Sequence, residues 1–164
     1  MFQLSKYLGT WYELAHYPSW FQRNDNFNTT AKYSLNTDGT VAVHNSTLVP
    51  GAEIKRFDSY GTATPTGNSS FQVEFSMPEV SKLAMSGEFK PPSFEITTPN
   101  YVIDRLWTDQ HGNYIFAVVT DAKKQSLYVL SRCAWPNITH YAEVMSYVVA
   151  NYDRDRLVQT PHYE

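Results

Sequence analysis

Few residues in this chain have the types and spacing that covalent or metal chemistry needs. The five histidines, His16, His44, His111, His140 and His162, show no H-x-x-x-H spacing and no paired carboxylate motif that would bring two imidazoles onto one ion. Cys133 is the single cysteine, so no internal disulfide forms, and a lone thiol is more commonly a small core residue than a nucleophile. Gly-x-Ser-x-Gly and phosphate-loop patterns are absent. Glu13 is the remaining acid–base candidate. These residues give no catalytic set, no metal site and no cofactor site. Arg105 is the residue that asks for a chemical account. It alternates with Tyr101 and Ile103, so if Ile103 faces a core, Arg105 does too. A buried guanidinium needs an anionic partner. Either Glu13 supplies it, or Arg105 also meets the carboxylate or phosphate of an amphipathic ligand in bidentate fashion, or Arg105 faces solvent.

The elements that would position these residues read as strands. Phe27 to Leu35 alternates, and Asn36-Thr-Asp-Gly39 turns it into Thr40 to Thr47, the clearest hairpin in the chain. Ile54 to Ala63, Ser70 to Met77, Tyr101 to Asp109, Tyr114 to Thr120 and Ser126 to Arg132 follow, and Trp11 to Trp20 precedes them as an apolar, aromatic stretch. Turns are expected at Pro65-Thr-Gly-Asn68 and Gln110-His-Gly-Asn113. Pro78, Pro91, Pro92 and Pro99 break the pattern between 78 and 100, which predicts a long loop with short strand pieces around 82–86 and 94–96. From Ile138 the period changes: Ile138, Tyr141, Val144, Met145, Val148 and Tyr152 fall on one helical face, with Asn137 or Thr139 as the N-cap after Pro136. Leu157 to Gln159 is a candidate ninth strand. Eight long strands, one late helix and no crossover helices predict an all-β fold: an eight-stranded antiparallel up-and-down barrel with one C-terminal helix on its wall.

Composition sets the outer bounds. A length of 164 residues suits one domain over 1–164, large enough to bury a sizeable core. Net charge is −3 and basic residues are scattered, with Lys123-Lys124 the longest run, so no nucleic-acid partner is expected. No stretch of about 18 apolar residues exists for a transmembrane helix; peripheral association with a membrane stays open, as does a monomer or weak homodimer. The opening Met1-Phe2-Gln3-Leu4-Ser5 lacks a charged n-region and an apolar h-region. One cysteine leans toward a reducing compartment, but the localisation stays undetermined. Asn-x-Ser/Thr sequons occur at Asn28, Asn45, Asn68 and Asn137 and carry little weight in a chain rich in these residues.

The segment Tyr7-Leu-Gly-Thr-Trp-Tyr-Glu-Leu-Ala15 resembles the first signature of the lipocalins, Gly-x-Trp at the start of the first strand. With Tyr17 and Pro18 after it, the variant is most similar to the bacterial outer-membrane lipocalins and their apolipoprotein D-like relatives. Thr108-Asp109 with Tyr114 resembles the second signature, and Leu127-Tyr-Val-Leu-Ser-Arg132 the third. The resemblance implies that these three sites meet at one closed end. Trp11 would plug the barrel, Arg132 would lie across its indole, Gly9 would leave room for the backbone, and Thr108 and Asp109 would tie down the turn. It also implies binding of a small hydrophobic or amphipathic ligand such as a fatty acid or lysophospholipid. The long loop and Arg105 depart from the family's usual pattern.

The inward set expected from the strand alternation is Ala31, Tyr33, Val43, Phe57, Phe71, Val73, Phe75, Tyr101, Ile103, Arg105, Ala117 and Tyr128, apolar with a few hydroxyls, as ligand pockets are. Residues 78–100 and Tyr17 to Phe27 are expected to rim the open end. Two other function classes stand beside ligand binding. One is a protein-interaction module using the aromatic loop Tyr17 to Phe21 with the long loop. The other is a lipocalin-type enzyme, for which no catalytic set is visible.

Overall fold

The computed structural model describes residues 1–19, 22–76 and 99–164. A short helix α1 (Leu4–Tyr7) leads into β1 (Gly9–His16), β2 (Phe27–Leu35), β3 (Val41–Val49), β4 (Lys55–Pro65), β5 (Ser70–Ser76), β6 (Tyr101–Thr108), β7 (Tyr114–Thr120) and β8 (Leu127–Ser131). Helix α2 (Ile138–Asn151), a 3-10 turn (Arg154–Arg156) and β9 (Val158–Gln159) complete it. Consecutive strands pair antiparallel from β2 to β8. Strand β1 then pairs with β8 on one side and β2 on the other, which closes an eight-stranded barrel. At its far end β1 turns from β2 to β9, with Ala15 opposite Gln159, so the C-terminal segment fills the seam between β1 and β2. Asn28 holds that segment in place: its backbone N–H donates to the Pro161 carbonyl, and its side-chain Oδ1 accepts from the Tyr163 N–H.

The strands and the three turns expected at 36–39, 65–68 and 110–113 agree with the sequence. Asp109 accepts from the backbone N–H groups of His111 and Asn113, so it ties down the β6–β7 turn, while Thr108 makes no side-chain hydrogen bond among the described residues. Between β5 and β6 the ladder is short, with Ser70 opposite Val102 and Phe71 opposite Tyr101. Asn100 extends it with its side chain: Nδ2 donates to the Val73 carbonyl at 2.8 Å and Oδ1 accepts from the Val73 N–H at 2.7 Å. The loop expected over 78–100 lies outside the described residues except for Pro99 and Asn100.

Two apolar clusters flank the barrel wall. The inner one contains Trp11, Ala31, Tyr33, Val43, Val73 and Val119, with α1 and Phe2 packed under it as a floor. Four residues are too few for a helical period to show in sequence, so α1 was not among the expected elements. The outer cluster lies between the wall and α2, where Phe116, Val118 and Val129 meet Val144 and Val148. The N-cap of α2 is Asn137, which accepts from the N–H groups of Thr139 and His140. Ile138, expected on the apolar face, is exposed at the first position of α2. Tyr147 and Tyr152 donate their hydroxyls to Asp104 of β6, each at 2.8 Å, and so fasten the helix to the barrel.

Candidate functional site

The closed end is built as the three signature segments require. Trp11 is fully buried, and its Nε1 donates to the Tyr7 carbonyl. The Arg132 guanidinium lies over the indole. Gly9 adopts φ +102°, a conformation that favours glycine, and a Cβ there would come within 3.3 Å of the Arg132 guanidinium. Cys133, just past Arg132, is exposed rather than a core thiol, and its Sγ donates to the Trp135 carbonyl.

The register assigns the interior. Trp11 pairs with Ala31, Val43 with Gly61, and Ala63 with both Val41 and Val73, so Phe57, Ser59, Phe71 and Phe75 share the inward parity. Ala31, Tyr33, Val43, Phe71, Val73, Ile103 and Ala117 are buried there as expected, and Tyr101 and Tyr128 pack against them half-buried. Phe57 and Phe75 also have inward parity but remain 43% and 37% exposed. Both stand toward the open end, where β4 begins and β5 finishes. The ring of Phe75 lies over Gly61, where an added Cβ would meet it at 2.9 Å.

Arg105 is a correction. Regular pairing from Ile103 opposite Val119 would set Arg105 opposite inward Ala117. A bulge at Asp104 sets it opposite outward Val118 instead, and Leu106 takes the place opposite Ala117. Arg105 is therefore exposed outside the barrel, over the rings of Trp107 at 5.2 Å and Tyr147 at 4.9 Å. Glu13 is not its partner, and the guanidinium cannot receive a ligand head group inside. Tyr17, expected at the rim, is also buried outside the wall: it accepts from the Asp153 N–H and carries Arg156 over its ring.

Three phenols occupy the interior above Trp11. The Tyr101 hydroxyl bonds to those of Tyr7 and Tyr33, at 2.5 and 2.8 Å. Burial raises the pKa of all three, that of Tyr33 to about 12. Two hydrogen bonds use two of their three hydrogens, so one O–H is unspent among the described residues.

Sequence reasoning missed a second polar group. A bulge at Leu14 sets Ala15 opposite Val129 and His16 opposite Tyr128, which turns His16 inward; regular pairing would have turned it out. Glu13, opposite Leu130, also faces in. Glu13 is 4% exposed and His16 is fully buried. Glu13 Oε2 accepts from Thr160 Oγ1 at 2.6 Å and from Gln22 Nε2 at 3.0 Å. His16 Nδ1 lies 3.1 Å from Thr160 Oγ1 and 3.2 Å from Glu13 Oε2. Gln22 comes from the β1–β2 connection and Thr160 from the C-terminal segment, so this group ties both to the open half of β1.

The comparisons agree with this geometry. Residues 2–162 match the family model described as a lipocalin-like domain. Temperature-induced lipocalin-1 of Arabidopsis thaliana is 28% identical over 162 residues, covering 96% of this chain and 78% of that protein. Among solved structures, the cockroach major allergen Per a 4 superposes with a TM-score of 0.66 at 17% identity, covering 99% of this chain and 89% of the allergen chain. Japanin from Rhipicephalus appendiculatus, solved bound to cholesterol, does so with 0.58 at 15% identity, covering 95% of this chain and 93% of japanin.

Proposed function

Because the chain belongs to the lipocalin-like family, we propose that it binds one small molecule with a long apolar body in the open half of its barrel and catalyses nothing. Lipocalins generally bind small hydrophobic ligands, and the ligand class here is an acyl lipid, such as a fatty-acid derivative or lysophospholipid, or a similar amphipathic molecule. The observation that carries this reading is the split along the inward face. Its closed half is sealed by the fully buried Trp11, while the inward aromatics of its open half, Phe57 and Phe75, stay exposed. Concave apolar surface left accessible inside a barrel is what a ligand covers. The rival interaction surface over Tyr17 to Phe21 loses Tyr17, which is buried.

The test is titration with the apolar fluorophore N-phenylnaphthylamine. Saturable binding is expected for the wild type, with a loss of about tenfold or more in affinity for Phe57→Asp, which sets a charge in the apolar mouth. Arg105→Met should bind as the wild type does, since Arg105 lies outside. Absence of saturable binding, or a Phe57→Asp curve identical to wild type, overturns the reading.

A further inference from the structure

From the interior polar groups we infer that the ligand carries a hydrogen-bond donor, a hydroxyl or an ammonium, received by Glu13 Oε1 and His16 Nε2, and that a carboxylate head group is disfavoured. This rests on the proposed ligand site in the open half of the barrel.

The inference follows from what each atom already does. Thr160 spends its hydrogen on Glu13 Oε2, so its oxygen accepts, and His16 Nδ1 is the donor. In the tautomer that carries its proton on Nδ1, Nε2 is an acceptor, and Nε2 is buried with no hydrogen-bond partner among the described residues. Glu13 receives all of its donors on Oε2; Oε1 makes no hydrogen bond among the described residues. On the inward face of β1, His16 Nε2 is therefore a buried atom without a partner, and the adjacent Glu13 Oε1 has a free lone pair among the described residues. A buried polar group without its partner is costly, so a ligand donor that satisfies it gains accordingly.

Charge points the same way. Among the described residues with inward parity in the strands, the charged ones are Glu13, which faces in beside Tyr33 and Tyr128 and acts electrostatically on both phenols, and Lys55, which is exposed at the start of β4 opposite Val49. Arg105 is outside the wall. Arg132 acts on Tyr7 and Tyr33 from beneath the floor, but its N–H groups are engaged by the carbonyls of Lys6, Tyr7, Leu8 and Thr10. A second carboxylate placed near Glu13 would meet repulsion with little solvent to screen it, whereas an ammonium would be attracted and an alcohol would donate without penalty.

The test uses ligands with one chain and three head groups. Dodecanol, dodecylammonium and dodecanoate, each below its micelle concentration, compete against N-phenylnaphthylamine on the wild-type protein. Dodecanol and dodecylammonium should displace the probe at least about tenfold more effectively than dodecanoate. In Glu13→Gln, which keeps the shape and removes the charge, the gap between dodecylammonium and dodecanoate should narrow. If dodecanoate competes as well as dodecanol, the donor inference is overturned while the ligand site stands. If the probe itself does not bind, the proposed function fails first. A Glu13→Gln protein that does not fold, as read by circular dichroism, leaves the wild-type ranking to decide.

Discussion

The guanidinium carbon of Arg132 sits 3.9 Å from the centroid of the Trp11 indole. From that position its N–H groups donate to the carbonyls of Lys6, Tyr7, Leu8 and Thr10, at distances from 2.8 to 3.1 Å. The first three of these residues precede β1 and so lie outside the strand ladder. One side chain thus stacks on the plug of the barrel and satisfies the backbone that crosses beneath it. The planar fork of arginine does both, which a point-charge ammonium cannot.

Trp11→Ala should lower stability by ~3–5 kcal/mol, the cost of truncating a buried large aromatic. Arg132→Ala should cost ~2–4 kcal/mol, since it removes the stack and several charge-assisted hydrogen bonds together. Arg132→Lys should recover little of this. Urea denaturation at neutral pH reads all three, and wild-type midpoints would show that the pair does not hold the closed end.

The phenol group predicts an alkaline limit to stability. Buried Tyr7, Tyr33 and Tyr101 hold their protons above the ordinary phenol value of about 10, Tyr33 up to about 12. The folded state therefore keeps protons that the unfolded chain loses first. The stabilisation is complete below pH ~10 and is lost as pH rises through the folded values. Tyr101→Phe removes the shared partner and leaves two buried hydroxyls unpaired, so it should cost ~1–3 kcal/mol, more than Tyr33→Phe. Phenolate absorbance followed against circular dichroism checks this; ionisation of all the tyrosines before any unfolding would contradict it.

An acid limit follows from Asp121 in the β7–β8 turn. Partial burial pushes its carboxyl up, but hydrogen bonds from the Ser126 hydroxyl and from the N–H groups of Gln125, Lys123 and Ser126 outweigh this and hold it below the usual carboxylate range. Its contribution is present above the unfolded value of about 4 and fades as pH falls through the lower folded value. Asp121→Asn should lower the urea midpoint at pH 7 and flatten the acid limb of the stability curve. An acid limb as steep as wild type would count against the turn as its source.

Alternation alone located β2 through β8 within a residue or two, because a strand half in water must repeat apolar side chains every second residue. The helix was legible for the corresponding reason at its own period, and the signature residues Gly9, Trp11, Asp109 and Arg132 took the places that the lipocalin resemblance implied. Tyr33 and Tyr101 were legible as inward residues. Their joining with Tyr7 was not, since Tyr7 comes from α1, which shows no period.

The sequence by itself determined the strand count, their order, the closing helix and the closed end, all of which follow from local periodicity and short motifs. The tertiary structure alone decided which way Arg105 and His16 face. One extra residue in a strand reverses the parity of every side chain beyond it. The bulge at Asp104 expelled Arg105 to lie against Tyr147 of the helix, and the bulge at Leu14 drew His16 inside against Glu13. Neither bulge breaks the local apolar pattern, because Asp104 finds its partners on α2 and Leu14 packs beneath the same helix. The interior thereby lost the expected cation Arg105 and kept Glu13, with His16 beside it instead, through contacts between segments far apart in the chain.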